Sequence, residues 1–246
     1  MSKIYEALKK AEEERERVRW TEPAPGAGGA EPASPLALPP TDVVAEDYQR
    51  LRASLVSGLS PSALHTILVA SARHGEGAST VAIGLATALA KERETRVLLV
   101  EGNLRLPSLA RMLPVAPNGG VSDFISGQRS AESVVTRVDA LNLSVIVAGN
   151  HARGSIDLEQ ISALLARLRP QFDFIVIDAP PVNRYADASI LAPKVDGVIL
   201  VVEADRTPLT EAETAKRQLD KVDARILGVV LNRRRSYIPA FLESLL

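Results

Sequence analysis

The chain holds 246 residues, with 29 Lys and Arg against 30 Asp and Glu, no cysteine and three histidines. That length suits one α/β domain with a large core plus attachments, and the near-balanced charge argues against nucleic acid as a partner drawn in by a global field. Disulfide frameworks and thiolate metal sites are excluded, His65, His74 and His151 stand at no ligand spacing, and the longest apolar runs, such as Gly197 to Val202, are far too short to cross a bilayer.

Taken from its start, the chain opens with Ser2 as a helix cap and sets Ile4, Leu8 and Ala11 at helical spacing, with Tyr5 beside them and a heavily charged remainder to Arg19. This pattern predicts an amphipathic helix over residues 1–20. Two readings of it stay open: a weakly packed helix, and a docking helix that meets a partner through Ile4 and Leu8. Residues 21–41 are dominated by Pro23, Pro25, Gly26, Gly28, Gly29, Pro32, Pro35, Pro39 and Pro40, with alanines in the gaps. Such a composition cannot build a core and reads as a tether. The N-terminal residues lack the apolar segment of a signal peptide, so a soluble, cytoplasmic protein is expected.

From Asp42 the sequence predicts a helix through Leu55, and then strands and helices alternate. Strand-like runs are Thr66 to Ser71, Arg96 to Glu101, Leu143 to Ala148, Asp173 to Asp178, Gly197 to Glu203 and Ile226 to Leu231, made almost entirely of Val, Ile and Leu. Continuous apolar strands are buried on both faces, as in a parallel sheet between helical layers. Between them, Ser79 to Glu92 carries Val81, Leu85 and Leu89 at spacings of four. Asp157 to Leu168 repeats the pattern, and Pro208 to Val222 follows Thr207 as a cap. Residues 42–246 are therefore expected to form one doubly wound α/β domain, mostly parallel, with helices on both faces.

In such a sheet ligands sit beyond the carboxyl ends of the strands, so the loops leaving them carry the candidate chemistry. After the first strand, Ser71-Ala72-Arg73-His74-Gly75-Glu76-Gly77-Ala78-Ser79-Thr80 has the form of a phosphate-binding loop with its lysine missing. Gly75, Gly77, Ser79 and Thr80 stand where backbone N–H groups would close on phosphate and a hydroxyl would bind magnesium, but Ala78 fills the lysine position. A second loop runs Glu101-Gly102-Asn103-Leu104-Arg105-Leu106-Pro107-Ser108-Leu109. A third begins at Asp178, a strand-end carboxylate suited to a magnesium shell, and continues Ala179-Pro180-Pro181. The fourth is Glu203-Ala204-Asp205-Arg206-Thr207, and the fifth starts at Asn232, whose amide either pairs with an adenine edge or caps the strand end.

These segments together resemble the cytoplasmic module of the bacterial tyrosine kinases (BY-kinases) of capsule and exopolysaccharide synthesis, cousins of the MinD/ParA-type P-loop ATPases. The likeness covers nearly the whole chain. It includes the opening Met1 to Ala11, the helix Glu46 to Arg52, the loop Gly75 to Thr80, Leu104 to Leu109, Asp178 to Pro181, and the ending Leu231 to Pro239. The resemblance implies a P-loop fold binding ATP or ADP with magnesium. Gly75, Glu76, Gly77, Ser79, Thr80 and Asn232 would be the nucleotide contacts, Ser79 and Asp178 the magnesium ligands, and Glu46 and Arg52 part of an oligomerisation face. It further implies like subunits, a membrane polysaccharide co-polymerase (chain-length regulator) or a kinase-competent paralogue as partners, and recruitment to the inner face of the membrane through one of them.

The family pattern is broken where its chemistry lies. The resemblance calls for a lysine at Ala78, for aspartates at Glu101 and Asn103, the second activating the tyrosine hydroxyl and binding magnesium, and for arginine at Gln49; Arg105, Asp178 and Arg52 are retained. No tyrosine-rich tail follows Tyr237. Phosphoryl transfer leaves a protein little to do beyond positioning groups and neutralising charge, and one such loss costs on the order of 10²- to 10³-fold in rate. Tyr5, Tyr48, Tyr185 and Tyr237 read as packing residues rather than phosphoacceptors, and Arg233 to Arg235 as a solvated edge or an anionic-lipid patch. The sequence thus predicts a degenerate, pseudokinase regulator or scaffold. Two alternatives are an active atypical kinase or ATPase whose lysine is replaced by Arg73 or Arg105, and a MinD/ParA-like positioning ATPase. The last would need a second lysine early in the loop, which Ser71-Ala72-Arg73-His74 lacks.

Overall fold

The structure, a computed structural model, describes residues 42–57, 64–92, 94–115, 119–149 and 157–234. The expected helix with Ile4 and Leu8, the tether and the residues after Arg234 lie outside these. The described strands are β1 (Thr66–Ser71), β2 (Val97–Glu101), β3 (Thr136–Val138), β4 (Leu143–Ile146), β5 (Phe174–Asp178), β6 (Gly197–Glu203) and β7 (Ile226–Asn232). The α-helices are α1 (Asp42–Ser57), α2 (Ala78–Leu89), α3 (Leu109–Met112), α4 (Val121–Ile125), α5 (Leu158–Leu168), α6 (Asp187–Leu191) and α7 (Leu209–Asp220).

The strands form one sheet in the order β3-β4-β2-β5-β1-β6-β7, parallel throughout except for β3, which runs antiparallel on β4. Residues alternate between two cores as the period of a strand requires. Ile67 and Val69 of β1 join the core under α1 and α2, while Leu68 and Ala70 join the core under α5, α6 and α7. With both faces covered, β1, β2, β4 and β6 are built mainly of Val, Ile and Leu, and burying each such side chain stabilises the fold by about 1.5–3 kcal/mol. The doubly wound parallel fold expected from the sequence is thus present.

Three details depart from the expectation. β3, a three-residue edge strand, has no apolar run to announce it. β7 is as apolar as the others yet lies at the sheet edge, with Val229 57% and Leu231 62% exposed. Thr207 does not cap α7, where Pro208 holds the cap position without a side-chain bond; its hydroxyl accepts from the Glu203 N–H at 3.0 Å and donates to Glu76.

Candidate functional site

The carboxyl ends of β2, β5, β1, β6 and β7 lie side by side, so the five loops read from the sequence converge there. Register places Glu101 directly opposite Asp178, and Asp178 opposite Val69, two residues before β1 ends at Ser71. Between β1 and α2 the chain turns through Gly75 (φ 90°) and Gly77 (φ 89°), left-handed conformations that side chains disfavour. Gly77 also caps α2, so the twelve-residue helix points its free N–H groups at the loop, the arrangement that binds phosphate.

Internal bonds hold the loop shut. The Glu76 carboxylate, buried, accepts from the Arg73 N–H at 2.7 Å and from the Thr207 hydroxyl. The Asn232 amide donates to the Glu76 carbonyl at 2.7 Å, and its oxygen accepts from the Arg233 N–H at 3.0 Å. A Cβ on Gly77 would overlap that same amide. Both hydrogen-bonding ends of Asn232 are thus engaged within the chain, on the phosphate loop and on the residue that follows it.

Ala78, at the lysine position, is buried in the core beneath α1 and α2. Ser79 accepts a hydrogen bond from the Ser108 hydroxyl at 2.9 Å, which links the phosphate loop to the second loop. There the Glu101 carboxylate, fully buried, accepts from the N–H groups of Ser108 (2.8 Å) and Leu109 (3.1 Å) at the start of α3. Burial pushes its pKa to about 7, opposed by those N–H bonds. Asn103 Oδ1 accepts from the Leu106 N–H at 3.1 Å and closes a turn. Arg105 Nε binds Asp187 Oδ2 at 2.7 Å, and its guanidinium lies 4.8 Å from the Tyr185 ring centroid. Arg73, by contrast, is exposed on the phosphate loop itself.

Asp178 stands apart. It is 0% exposed, and neither carboxylate oxygen has a hydrogen-bond partner of normal geometry. Burial raises its pKa to about 8, the Ser79 hydroxyl beside it pulls the other way, and the Glu101 charge adds to the rise. An orphaned buried carboxylate next to a hydroxyl, at the mouth of a phosphate loop, fits a divalent cation. The phosphate cradle fits a nucleotide by its backbone but carries no lysine to neutralise the outer phosphates. When bound, magnesium nucleotide would supply the phosphoryl group; Asp178 and Ser79 are the residues that would face the metal.

Glu46 and Arg52, expected on an oligomerisation face, both have partners in the chain: Glu46 pairs with Arg50 at 2.7 Å, and Arg52 with Glu92. Gln49 Nε2 between them is buried without a partner. Asp187, Ser108 and Thr207 each organise the site and were not singled out as site residues from the sequence. Their partners lie 82, 29 and 131 residues away, a distance over which no local pattern signals a pair.

Strand, glycine loop, helix N-terminus and a carboxylate on the neighbouring strand define a P-loop nucleotide-binding protein. The sequence profile of the ParA family, described as the NUBPL iron-transfer P-loop NTPase, matches residues 62–242. The kinase domain of VpsO, a solved structure, is 31% identical, with a TM-score of 0.70 over 78% of this chain and 96% of that one. The tyrosine-protein kinase YwqD of Bacillus subtilis is 26% identical over 199 residues, 80% of this chain and 84% of its own length. The succinoglycan biosynthesis transport protein ExoP of Rhizobium meliloti is 29% identical over 200 residues; the chain spans 25% of its length. The chain belongs to the ParA-type P-loop NTPases, in the branch that holds the bacterial tyrosine kinases. That family implies nucleotide and magnesium as ligands. Among the described residues no helix is long and apolar enough to cross a membrane.

Proposed function

We propose that the chain is a catalytically degenerate bacterial tyrosine kinase, a pseudokinase that regulates or scaffolds exopolysaccharide polymerisation and export. One observation carries the reading: the loop lysine is missing and Arg105, one of its two candidate replacements, is engaged elsewhere. Ala78 packs into the core where the lysine belongs, and Arg105 is held by Asp187 and Tyr185. The second loop supports it, since Glu101 and Asn103 accept hydrogen bonds from the backbone N–H groups of Ser108, Leu109 and Leu106. The likeness to ExoP supports the polysaccharide setting. In this reading the segment 1–20 is a docking helix on the tether 21–41. It, or the α1 face with Glu46 and Arg52, meets a membrane co-polymerase or a kinase-competent paralogue and brings the cytoplasmic domain 42–246 to the membrane. Iron transfer is not part of the proposal, because the chain has no cysteine to hold an iron–sulfur cluster.

The test is titration of ATP and ADP with magnesium into the natural chain, Ala78→Lys, and Ala78→Lys with Asn103→Asp. Affinity should rise about tenfold or more only in the repaired proteins, the worth of one charge-assisted contact to phosphate. Tight binding by the natural chain, together with tyrosine phosphorylation that Asp178→Ala abolishes, would sink the reading. A second reading, an atypical ATPase, draws on the exposure of Arg73 in the phosphate loop. It requires that Arg73→Ala abolish nucleotide binding or turnover by the natural chain. The positioning-ATPase reading has the family profile behind it but lacks the second loop lysine.

A further inference from the structure

Two loops from the far end of the chain grip the phosphate loop at one residue. The Glu76 side chain, 3% exposed, accepts from the Thr207 hydroxyl with Oε1 and from the Arg73 N–H with Oε2 at 2.7 Å. Its backbone carbonyl accepts from the Asn232 amide at 2.7 Å. Thr207 and Asn232 lie on the loops that leave β6 and β7, 131 and 156 positions along the chain from Glu76. Those two loops are joined to each other as well. Thr207 Oγ1 accepts from the Glu203 N–H at 3.0 Å, and the neighbouring Ala204 N–H donates to the Asn232 carbonyl at 2.9 Å. Glu76, Thr207, the backbone of Glu203 and Ala204, and Asn232 therefore close a ring of hydrogen bonds. Gly77 leaves space for it, since a Cβ there would overlap the Asn232 amide nitrogen.

A loop that turns through Gly75 and Gly77 at positive φ gives up more backbone freedom on ordering than any other residue type would. A phosphate and a loop lysine would offset that cost, but Ala78 brings no charge to the loop. We propose that the ring is a clasp that holds the phosphate loop closed with no ligand bound, and that Thr207 and Asn232 are its positioning residues. Two physical reasons support this role. The bonds to the Glu76 carboxylate are charge-assisted and sheltered from water, and opening the loop would strand that buried carboxylate without its partners. Because the ring is closed, each side also holds the others in register, so breaking one weakens the rest. The phosphate loop and the ends of β6 and β7 then move as one piece. The inference deepens the pseudokinase reading by naming what orders the loop in place of phosphate, while its geometry stands without that reading.

The experiment follows amide hydrogen exchange by NMR in the full chain without nucleotide, with the Arg73 N–H as reporter of the loop and the N–H groups of β1 as reporters of the whole domain. The variants are Thr207→Val, Thr207→Ser, Asn232→Ala, and Thr207→Val combined with Asn232→Ala. The Arg73 N–H should be protected in the natural chain and exchange about tenfold faster or more in Thr207→Val, which loses one hydrogen bond to a charged group. Thr207→Ser keeps the hydroxyl and should stay within about twofold of the natural chain. Asn232→Ala should also speed the loop, with β1 unchanged in every variant. In the double variant the acceleration should fall short of the product of the two single effects, as members of one ring require. An Arg73 N–H that exchanges as in an unstructured peptide in the natural chain would overturn the proposal. So would an unchanged rate in Thr207→Val, loop and β1 accelerating together, or single effects that simply multiply. No nucleotide enters these measurements, so tight ATP binding in the titration above would sink the pseudokinase reading and leave the clasp standing.

Discussion

Asp178 concentrates the electrostatic tension of this site. Its carboxylate and that of Glu101 face each other across adjacent strands with folded pKa values of about 8 and about 7, well above the ~4 of an unfolded chain. The folded state therefore holds more protons than the unfolded one over that window. The stability these groups contribute is full below about pH 4 and is lost as pH rises through their folded values. Free of metal and nucleotide, the protein should lose stability from pH 5 to pH 8, as read by urea unfolding. Asp178→Asn should flatten most of that slope and raise stability at pH 8 by about 1–3 kcal/mol, the cost of an unsatisfied buried group. Parallel slopes in the two proteins would show that Asp178 is solvated or paired. Glu101 differs because its longer side chain reaches back to the start of α3, where two N–H groups offset much of the burial. The sequence revealed that an aspartate was missing there, but not that the glutamate had acquired a capping role, since that depends on where Ser108 and Leu109 fold.

Among the elements, the packing of α1 on α2 leaves no room for one added atom. Gly84 leaves the Tyr48 ring no room for a side chain, and a Cβ added there would overlap the ring; the Tyr48 hydroxyl meanwhile sits 3.4 Å from the Thr80 carbonyl. Burial, with the charge of Asp47, raises the Tyr48 pKa, as expected of a ring held against a helix. Gly84→Ala gains about 1 kcal/mol in helix propensity, yet it should destabilise the chain by about 1–3 kcal/mol because the ring or the helix must shift. Adding Tyr48→Ala should recover part of the loss relative to the sum of the single changes, a coupling that urea midpoints of the two single variants and the double variant would reveal. Simple additivity would mean that the two residues do not press on each other. The helical run from Ser79 to Glu92 was legible in the sequence from Val81, Leu85 and Leu89, a spacing that says nothing of Gly84. Its close approach to Tyr48 exists only once the two helices are docked.

At the scale of the molecule, the sheet ends on β7, an apolar strand with Val229 and Leu231 exposed and Leu209 of α7 exposed nearby in chain order. An edge of this kind offers backbone groups and apolar surface to other chains. Val229→Lys should change the unfolding midpoint by no more than about 0.5 kcal/mol while lowering concentration-dependent association in sedimentation. A large loss of stability would instead place Val229 in a core.

By itself the sequence determined the doubly wound architecture, because runs of Val, Ile and Leu without polar alternation call for a sheet covered on both faces, as five of the six runs are, while the last, β7, lies exposed at the edge. It also determined the phosphate loop and the absence of its lysine, since glycine spacing and the identity of residue 78 are local facts. Tertiary structure alone decided which strand lay at the edge, that Arg105 is held by Asp187 and Tyr185, that Asn232 closes on Glu76, and that Asp178 is left buried without a partner. The reason is common to all four. A backbone conformation follows from neighbours in sequence, whereas a side chain's charge is settled by groups that folding brings to it from far along the chain.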